Sequence, residues 1–278
     1  MHFRIQNQYF HYSHRRTEQP PRMDFHLHDS YELYFFLSGD VHYLIEKKVY
    51  PLRYGDLLIM NNRELHKATF RSNATYENIV VHFDPAVSEA LTGLSDFPLL
   101  DCYINRPQGE SNLIRLSHQQ LEEAQAIFHK IEQLSPESQS ESGLLLTAYM
   151  IELLVLINRC FHSDKSSQDT VPTDVHEKLG PVLDYIDSHL DEDLSLETLE
   201  RHFYMNRYYL SRLFRRSTGS TVHEYIVLKR IARAKKLLQE GSNVTDACQQ
   251  SGFNDYSNFI RMFKRFVGVP PGQYRKQR

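Results

Sequence analysis

Cysteine is scarce in this chain, and the three present, Cys102, Cys160 and Cys248, stand far apart with no CxxC pair. That excludes a disulfide framework and a cysteine zinc finger; a sparse, odd set reads as reduced thiols in a cytoplasm. Long apolar runs are also missing, and none approaches the roughly 18 residues that span a bilayer. At the start, Met1-His2-Phe3-Arg4-Ile5-Gln6 puts no apolar core behind its basic residue, so no secretory leader is visible. These absences predict a soluble chain with no membrane partner.

What is there looks ordinary in bulk, with 41% hydrophobic and 24% charged residues. A length of 278 residues suits two domains or one large one. The net charge of -3 hides an asymmetry: from Leu194 onward 16 Lys and Arg face six acids, a net +10, which leaves -13 on residues 1–193. A basic segment on an acidic body suggests a polyanionic partner, although a solvated basic face is the commoner cause of such a count.

The amino-terminal part alternates β-prone runs with turn signals: Tyr31 to Leu37 before Ser38-Gly39-Asp40, Val41 to Glu46, Asp56 to Met60 before Asn61-Asn62, and Tyr76 to Phe83 before Asp84-Pro85. This spacing predicts a small antiparallel barrel or sandwich. Helical periodicity follows. Ser117 to Leu134 sets Leu121, Ala124, Phe128 and Ile131 on one stripe, and Leu144 to Phe161 is apolar almost all round. The second helix either packs on the barrel or forms a dimer interface. The stretch from Ser163 to Thr173 has the Ser, Asp, Thr and Pro composition of a linker. The division expected is 1–162, a linker at 163–175, and a helical domain at 176–278.

The tail repeats itself at a spacing of 49 residues. Arg212-Leu213-Phe214-Arg215-Arg216, Gly219 and Tyr225 fall on Arg261-Met262-Phe263-Lys264-Arg265, Gly268 and Tyr274. Each copy reads as a capped helix with two faces. In the first, Asn206 caps, Leu210, Leu213, Phe214 and Ser217 share one face, and Tyr208, Ser211, Arg212 and Arg215 share the other. In the second, Asp255 caps, Phe259, Met262, Phe263 and Phe266 turn inward, and Ser257, Ile260, Arg261 and Lys264 turn outward. Gly219 and Gly268 stop the two helices. A shorter helix precedes each, Leu196 to Phe203 and Val244 to Ser251, which is the helix-turn-helix plan. Between the copies, Val222 to Gln239 reads as one helix of about 27 Å, near the roughly 34 Å that separates successive major-groove openings on one face of DNA.

Over residues 180 to 277 the tail resembles the DNA-binding domain of AraC-type regulators. The resemblance is carried by Tyr209-Leu210-Ser211-Arg212-Leu213-Phe214, by Arg230-Ile231-Ala232-Arg233-Ala234-Lys235-Lys236-Leu237-Leu238, by Gly252-Phe253-Asn254-Asp255-Tyr256-Ser257-Asn258-Phe259, and by Phe263 to Pro271. It implies a bacterial transcription regulator that binds promoter DNA with both helices, usually as a homodimer on paired sites, with RNA polymerase as a further candidate partner. The candidate DNA-binding residues are Tyr208, Ser211, Arg212 and Arg215, then Tyr256, Ser257, Asn258, Arg261 and Lys264.

In the other half, His26-Leu27-His28-Asp29-Ser30-Tyr31-Glu32 is followed by Gly39, Gly55 and His66. His26, His28 and Glu32 differ by even numbers, so on an extended strand they share a face. With His66 they are a plausible ligand set for a divalent metal. The spacing resembles that of the cupin barrel, with Asn61-Asn62 where the second cupin motif has Pro, and the whole segment is similar to the sensor domain of AraC-type regulators. Three readings of the four residues stay open: polar groups for a small-molecule effector such as a sugar or related metabolite, a bound metal, or structural histidines. Tyr34, Phe36 and Tyr43 serve equally as aromatic walls or as core. The fold expected is α+β in two domains, a cupin-like antiparallel β-barrel with C-terminal helices and then an all-α domain with two helix-turn-helix units. The function expected is an effector-modulated, sequence-specific regulator rather than a cupin-type enzyme or an architectural DNA-binding protein, because only a sensing regulator uses both halves.

Overall fold

The computed structural model describes residues 2–19, 23–91, 96–134, 139–163, 173–174 and 177–276. Eight strands open the chain: β1 (His2–Gln6), β2 (Phe10–Thr17), β3 (Tyr31–Ser38), β4 (Val41–Ile45), β5 (Lys48–Pro51), β6 (Asp56–Met60), β7 (His66–Phe70) and β8 (Tyr76–Phe83). Two single-turn helices, α1 (Val87–Ala90) and α2 (Asp101–Ile104), lead to β9 (Leu113–Arg115). Helices α3 (His118–Glu132) and α4 (Gln139–Ser163) follow, and β10 (Thr173–Asp174) closes the mixed part.

All strand pairs are antiparallel, in a six-stranded sheet of order β1-β2-β8-β3-β6-β9 and a four-stranded sheet of order β10-β5-β4-β7. The expected barrel is therefore two facing sheets and not a closed ring. The chain turns from β3 into β4 at Gly39, whose φ of +126° suits a residue without Cβ, and the two strands then pair in different sheets. Tyr34, Phe36, Leu58 and Met60 from one sheet meet Val41, Tyr43, Ile45, Tyr50 and Ala68 from the other. Tyr34, Phe36 and Tyr43 are core.

The uninterrupted apolar run of β3 has a matching cause. Its other face, Tyr31, Leu33 and Phe35, lies in a second core with α3 and α4, so the strand is buried on both sides. Ser117 and Gln120 form a reciprocal capping box at the start of α3, and Phe128 of that helix meets Tyr12 and Phe35. Helix α4 is long and apolar enough, by length and composition alone, to cross a membrane. Here it buries Leu146, Met150, Leu153, Leu154, Ile157 and Cys160 against the sheet and α3, at the spacing of one helical face. Leu144, on its outer side, is 73% exposed.

The carboxy-terminal part contains α5 (Gly180–Ser188), α6 (Leu196–Phe203), α7 (Arg207–Thr218), α8 (Val222–Gln239), α9 (Val244–Gln250), α10 (Tyr256–Val267) and α11 (Pro271–Lys276). Helices α6 and α7 form one head and α9 and α10 the other, with α8 between them. Both caps read from the sequence are made, Asn206 accepting from Tyr208 N–H and Asp255 from Ser257 and Asn258 N–H, and Ser195 caps α6 by accepting from Thr198 N–H. Gly219 and Gly268 end α7 and α10 in the left-handed region.

The helical part docks on the sheets. Phe25, Leu27, Leu44 and Leu65 share a core with Leu179, Val182, Leu183, Tyr225 and Leu228. Beside it, Lys229 of α8 reaches Glu46 at 2.5 Å and Asp187 at 3.2 Å, and Lys47 reaches Asp187 at 3.2 Å. Burial alone would push the Lys229 pKa down, but the adjoining Glu46, Tyr225 and Asp187 outweigh it, so the ammonium is held charged. Of the stretch read as a linker, Ser163 ends α4 and Thr173–Asp174 pairs with β5, while the polar residues between them lie outside the described residues.

Candidate nucleic-acid interface and ligand site

Caps and apolar faces orient the two repeated helices in the same way. Leu210, Leu213 and Phe214 of α7 turn into the first head, and Phe259 and Phe263 of α10 into the second. The opposite faces reach solvent. Tyr208, Arg212 and Arg215 are exposed on α7, with Ser211 half-buried. On α10, Tyr256, Ser257, Arg261 and Lys264 are exposed, while half-buried Asn258 accepts from the Arg261 guanidinium at 2.9 Å. All nine expected DNA-contacting residues therefore lie on or beside the outward faces. One neighbour went unread: Tyr204 ends α6 with φ 50° and is 97% exposed in the turn before α7. Its turn position was visible, but nothing in the sequence marks a left-handed tyrosine.

The basic tail is less available to a polyanion than its count suggests. Lys229 faces Glu46, Arg230 donates to the carbonyls of Leu190 and Glu192, and Arg233 pairs with Asp191. Lys235 pairs with Asp29. Arg212, Arg215, Arg216, Arg261 and Lys264 remain exposed around the recognition helices.

The second constellation lies where the segment ahead of β3 meets β7. His26 is an isolated bridge residue and His28 follows it outside any strand or helix, Asp29 and Ser30 form a bend, and Glu32 lies on β3. The three are thus not on one strand, as even spacing suggested, yet they converge. His26 forms a bridge with His66, the first residue of β7. Ligand atoms of His26, His28, Glu32 and His66 all lie within 4.8 Å of one another. Glu32 is the hub: its Oε2 is 2.8 Å from His28 Nε2, 3.1 Å from His82 Nε2 and 3.3 Å from His66 Nε2. Its Oε1 accepts from Tyr43 Oη at 3.2 Å.

His82 was missed because only strand register brings it in. It stands directly opposite Glu32 across the β3–β8 pair, a relation no local spacing reveals. His66, conversely, needs no proline to be placed. Asn61 closes the preceding turn by accepting from Arg63 N–H at 3.0 Å and donating to the Tyr103 carbonyl at 3.1 Å. Buried Glu64 then pairs with Arg106 at 2.6 Å.

The outer nitrogens of the three histidines are tied down. Nδ1 lies 3.1 Å from Asp24 O in His26, 2.8 Å from Ser30 O in His28 and 2.8 Å from Glu64 O in His66. A carbonyl only accepts, so each Nδ1 carries a proton; the neutral ring's Nε2 can then offer a lone pair to a cation at the centre, whereas facing the bare Glu32 carboxylate it must carry a proton as well. Burial lowers the His26 pKa to about 3, with His66 adding to the effect. Burial also lowers that of His28, against the pull of Glu32. Burial would raise the Glu32 carboxyl, but His66, His28 and His82 hold it well below its usual range. For His66 the Glu32 carboxylate outweighs burial and raises the pKa.

This arrangement fits a cation. Buried His66 Nε2 has no hydrogen-bond partner among the described residues, although it lies 3.3 Å from Glu32 Oε2. Imidazole lone pairs converging on a buried carboxylate suit a divalent transition metal, with Nδ1–H bonds to backbone setting each ring. Metal–nitrogen bonds of about 2.0–2.1 Å require the wider pairs to close up by about an ångström. Room for an organic molecule is less evident: Tyr43 stacks over His66 at 6.2 Å and packs on Tyr34 at 4.7 Å. A cleft of about 1230 Å³ lies between the two parts of the molecule, lined by Lys47, Arg63, Asp184, Lys229 and Arg233 among others, and none of the four residues lines it.

Comparison with known proteins adds three findings. The family model described as an AraC-like ligand binding domain matches residues 11–154, and one described as a helix-turn-helix domain matches residues 199–277. An uncharacterized HTH-type transcriptional regulator of Staphylococcus aureus (strain COL) is 26% identical over 264 residues, 95% of this chain but 34% of that protein, so the chain spans about a third of the length of the first curated relatives it matches. The HTH-type transcriptional activator RhaR of Mannheimia succiniciproducens is 22% identical over 264 residues, 95% of this chain and 90% of that one. Among solved structures, ToxT from Vibrio cholerae matches at 17% identity over 97% of this chain and 98% of that one, with a TM-score of 0.38.

Proposed function

The chain belongs to the AraC-type family of transcription regulators, and we propose that it binds promoter DNA through α7 and α10 and answers to a signal received in residues 1–162. The observation that carries this reading is the pair of outward helical faces. They present Arg212 and Arg261 at equivalent places in a 49-residue repeat, on either side of an 18-residue helix. That helix, about 27 Å long, suits two heads set in successive major grooves. Nine residues make the interface: Tyr208, Ser211, Arg212 and Arg215 from the first head, and Tyr256, Ser257, Asn258, Arg261 and Lys264 from the second. The regulator acts as a homodimer on paired sites, with the outer side of α4 around Leu144 as the self-association face, and works alongside RNA polymerase rather than as an enzyme. Selection of bound duplexes from a random pool tests it. The expected product is a bipartite motif whose halves lie about 10 bp apart; a pool without a shared motif would refute sequence-specific binding.

The signal enters at His26, His28, Glu32 and His66. Between a sugar-like metabolite and a divalent metal, the metal is the better supported. Three ring nitrogens and a carboxylate converge there, the outer nitrogens are fixed by backbone carbonyls, and Tyr34 and Tyr43 fill the adjoining space. Metal analysis of the purified chain, with calorimetric titration of Zn²⁺ and of candidate sugars, separates the two.

A further inference from the structure

The segment that supplies His26 and His28 has a second face. On either side of the isolated bridge at His26 the contacts alternate: residues 26 and 28 meet the histidine cluster, and residues 25, 27 and 29 meet the helical domain. What the second set meets is the helical domain. The Phe25 ring stands edge-on to Tyr225 at 5.8 Å. Leu27 is buried in the core shared with the helical domain. The Asp29 carboxylate pairs with Lys235 Nζ at 2.5 Å and accepts from Tyr274 Oη at 3.2 Å. Lys235 also donates to the carbonyl of His28 itself, at 3.2 Å.

These contacts reach both heads and the helix between them. Tyr225 packs on Phe214 of the first head, Tyr274 packs on Phe263 of the second, and Lys235 lies on α8. The segment is held to its own sheet more thinly. Its bridge to β7 consists of His26 N–H to His66 O at 3.2 Å and His66 N–H to His26 O at 3.4 Å. A segment attached by one isolated bridge is positioned largely by what its side chains grip.

We propose that residues 25–29 couple the two domains: a divalent metal gripped by His26 and His28 fixes this segment, and the segment in turn fixes the setting of the two DNA-reading heads. This rests on the metal reading of the cluster. The docked arrangement leaves the outward faces of α7 and α10 exposed, so it is compatible with DNA contact. Fixing the setting of two heads lowers the cost of engaging two half-sites together and does nothing for one head on one half-site. Metal therefore tightens binding to a two-half-site duplex, and such a duplex tightens metal binding by the same factor.

The test uses the full chain, Zn²⁺ as probe, and duplexes carrying the selected motif or one half of it. For the wild type, Zn²⁺ against chelator is expected to lower Kd for the full motif about tenfold and to leave the half-motif within about twofold. Lys235→Met and Tyr274→Phe, the latter removing a single hydroxyl, are expected to bind Zn²⁺ as the wild type does in competition with a chromophoric chelator. Their DNA response should shrink to about twofold or less. If both variants keep the full response, or if the half-motif responds as strongly as the full one, this route is wrong. A wild-type chain that takes up no Zn²⁺ overturns the metal reading as well, which distinguishes that failure from a failure of the coupling alone.

Discussion

Arg212 and Arg261 differ from the other tail cations in what surrounds them. Both are exposed on capped helices, and Arg261 is steadied by Asn258 at 2.9 Å. An arginine so presented can bond guanine through two hydrogen bonds. Replacing either by Ala should cost about 1–3 kcal/mol and relax preference only in its own half of the motif. A uniform loss across all sequences would make them phosphate contacts. His14 supports a different kind of prediction. Its ring joins Glu132 of α3 at 2.7 Å and Glu77 of β8 at 3.1 Å, and Tyr12 Oη also donates to Glu132. The bond to Glu132 leads the causes that raise its pKa above 6.5, against burial. A group whose folded pKa is raised stabilises fully below the unfolded value and loses that contribution as pH climbs through the folded one. His14→Gln should thus lose on the order of 1 kcal/mol near pH 6 and converge with the wild type at alkaline pH, as urea titrations at several pH values would show. A deficit that grows with pH would refute the pairing. The histidine cluster was legible at this scale as a set of ligand-type residues close in sequence, although the single strand that even spacing suggested does not hold them: only Glu32 lies on β3. His14 and His82 were not, since their partners come from strand register and helix packing.

Among the elements, the glycines at turns show how one sequence signal covers two physical situations. Gly252, after α9, has φ +91°, and a Cβ there would overlap the Leu190 carbonyl oxygen and crowd Arg230 Nε at 2.8 Å. Those same groups are bonded to each other at 2.9 Å, so the bare glycine seats the second head against the end of α5. Gly268 has φ +88°, but nothing lies within 4 Å of an added Cβ. Gly252→Ala should therefore cost more than about 2 kcal/mol, backbone strain and collision together, whereas Gly268→Ala should cost about 1 kcal/mol. Equal shifts in Tm for the two variants would show that the collision is relieved elsewhere. Helices α3, α4 and α6 to α10, the caps Asn206 and Asp255, and the strands β3, β4, β6 and β8 were readable from period and turn chemistry. β2, Phe-His-Tyr-Ser-His-Arg-Arg-Thr, was not, because its polar positions engage partners such as Glu77 and Glu132 and break the apolar signal of a strand. Nor could alternation tell one closed barrel from two facing sheets, since both bury every second side chain.

At the scale of the molecule, the charge asymmetry proves to have two uses. The tail's net +10 suggested a polyanionic partner, yet Lys229 and Lys235 are committed to Glu46 and Asp29 across the domain contact, with Asp187 of α5 also beside Lys229. Lys229 and Glu46 are 183 residues apart, a pairing beyond any window of sequence. Lys236 also lines the interdomain cleft, where it lies 3.8 Å from Glu240. Fewer cations can then release counterions from DNA than the composition implies, and each should be identifiable by its effect on salt dependence. The slope of log K against log salt is shallower by about 0.9 for every phosphate that the protein ceases to neutralise. Arg216, exposed beside the recognition face of α7, should flatten that slope by about 1 when changed to Ala, with the selected motif unaltered. Lys229→Met removes the same formal charge from the same domain but from the side that faces Glu46, so it should leave the slope as it was. Binding measured over a series of salt concentrations decides between a local and a diffuse origin of the attraction. If both substitutions flattened the slope equally, net charge rather than position would govern association, and the domain contact would not be drawing those lysines away from DNA.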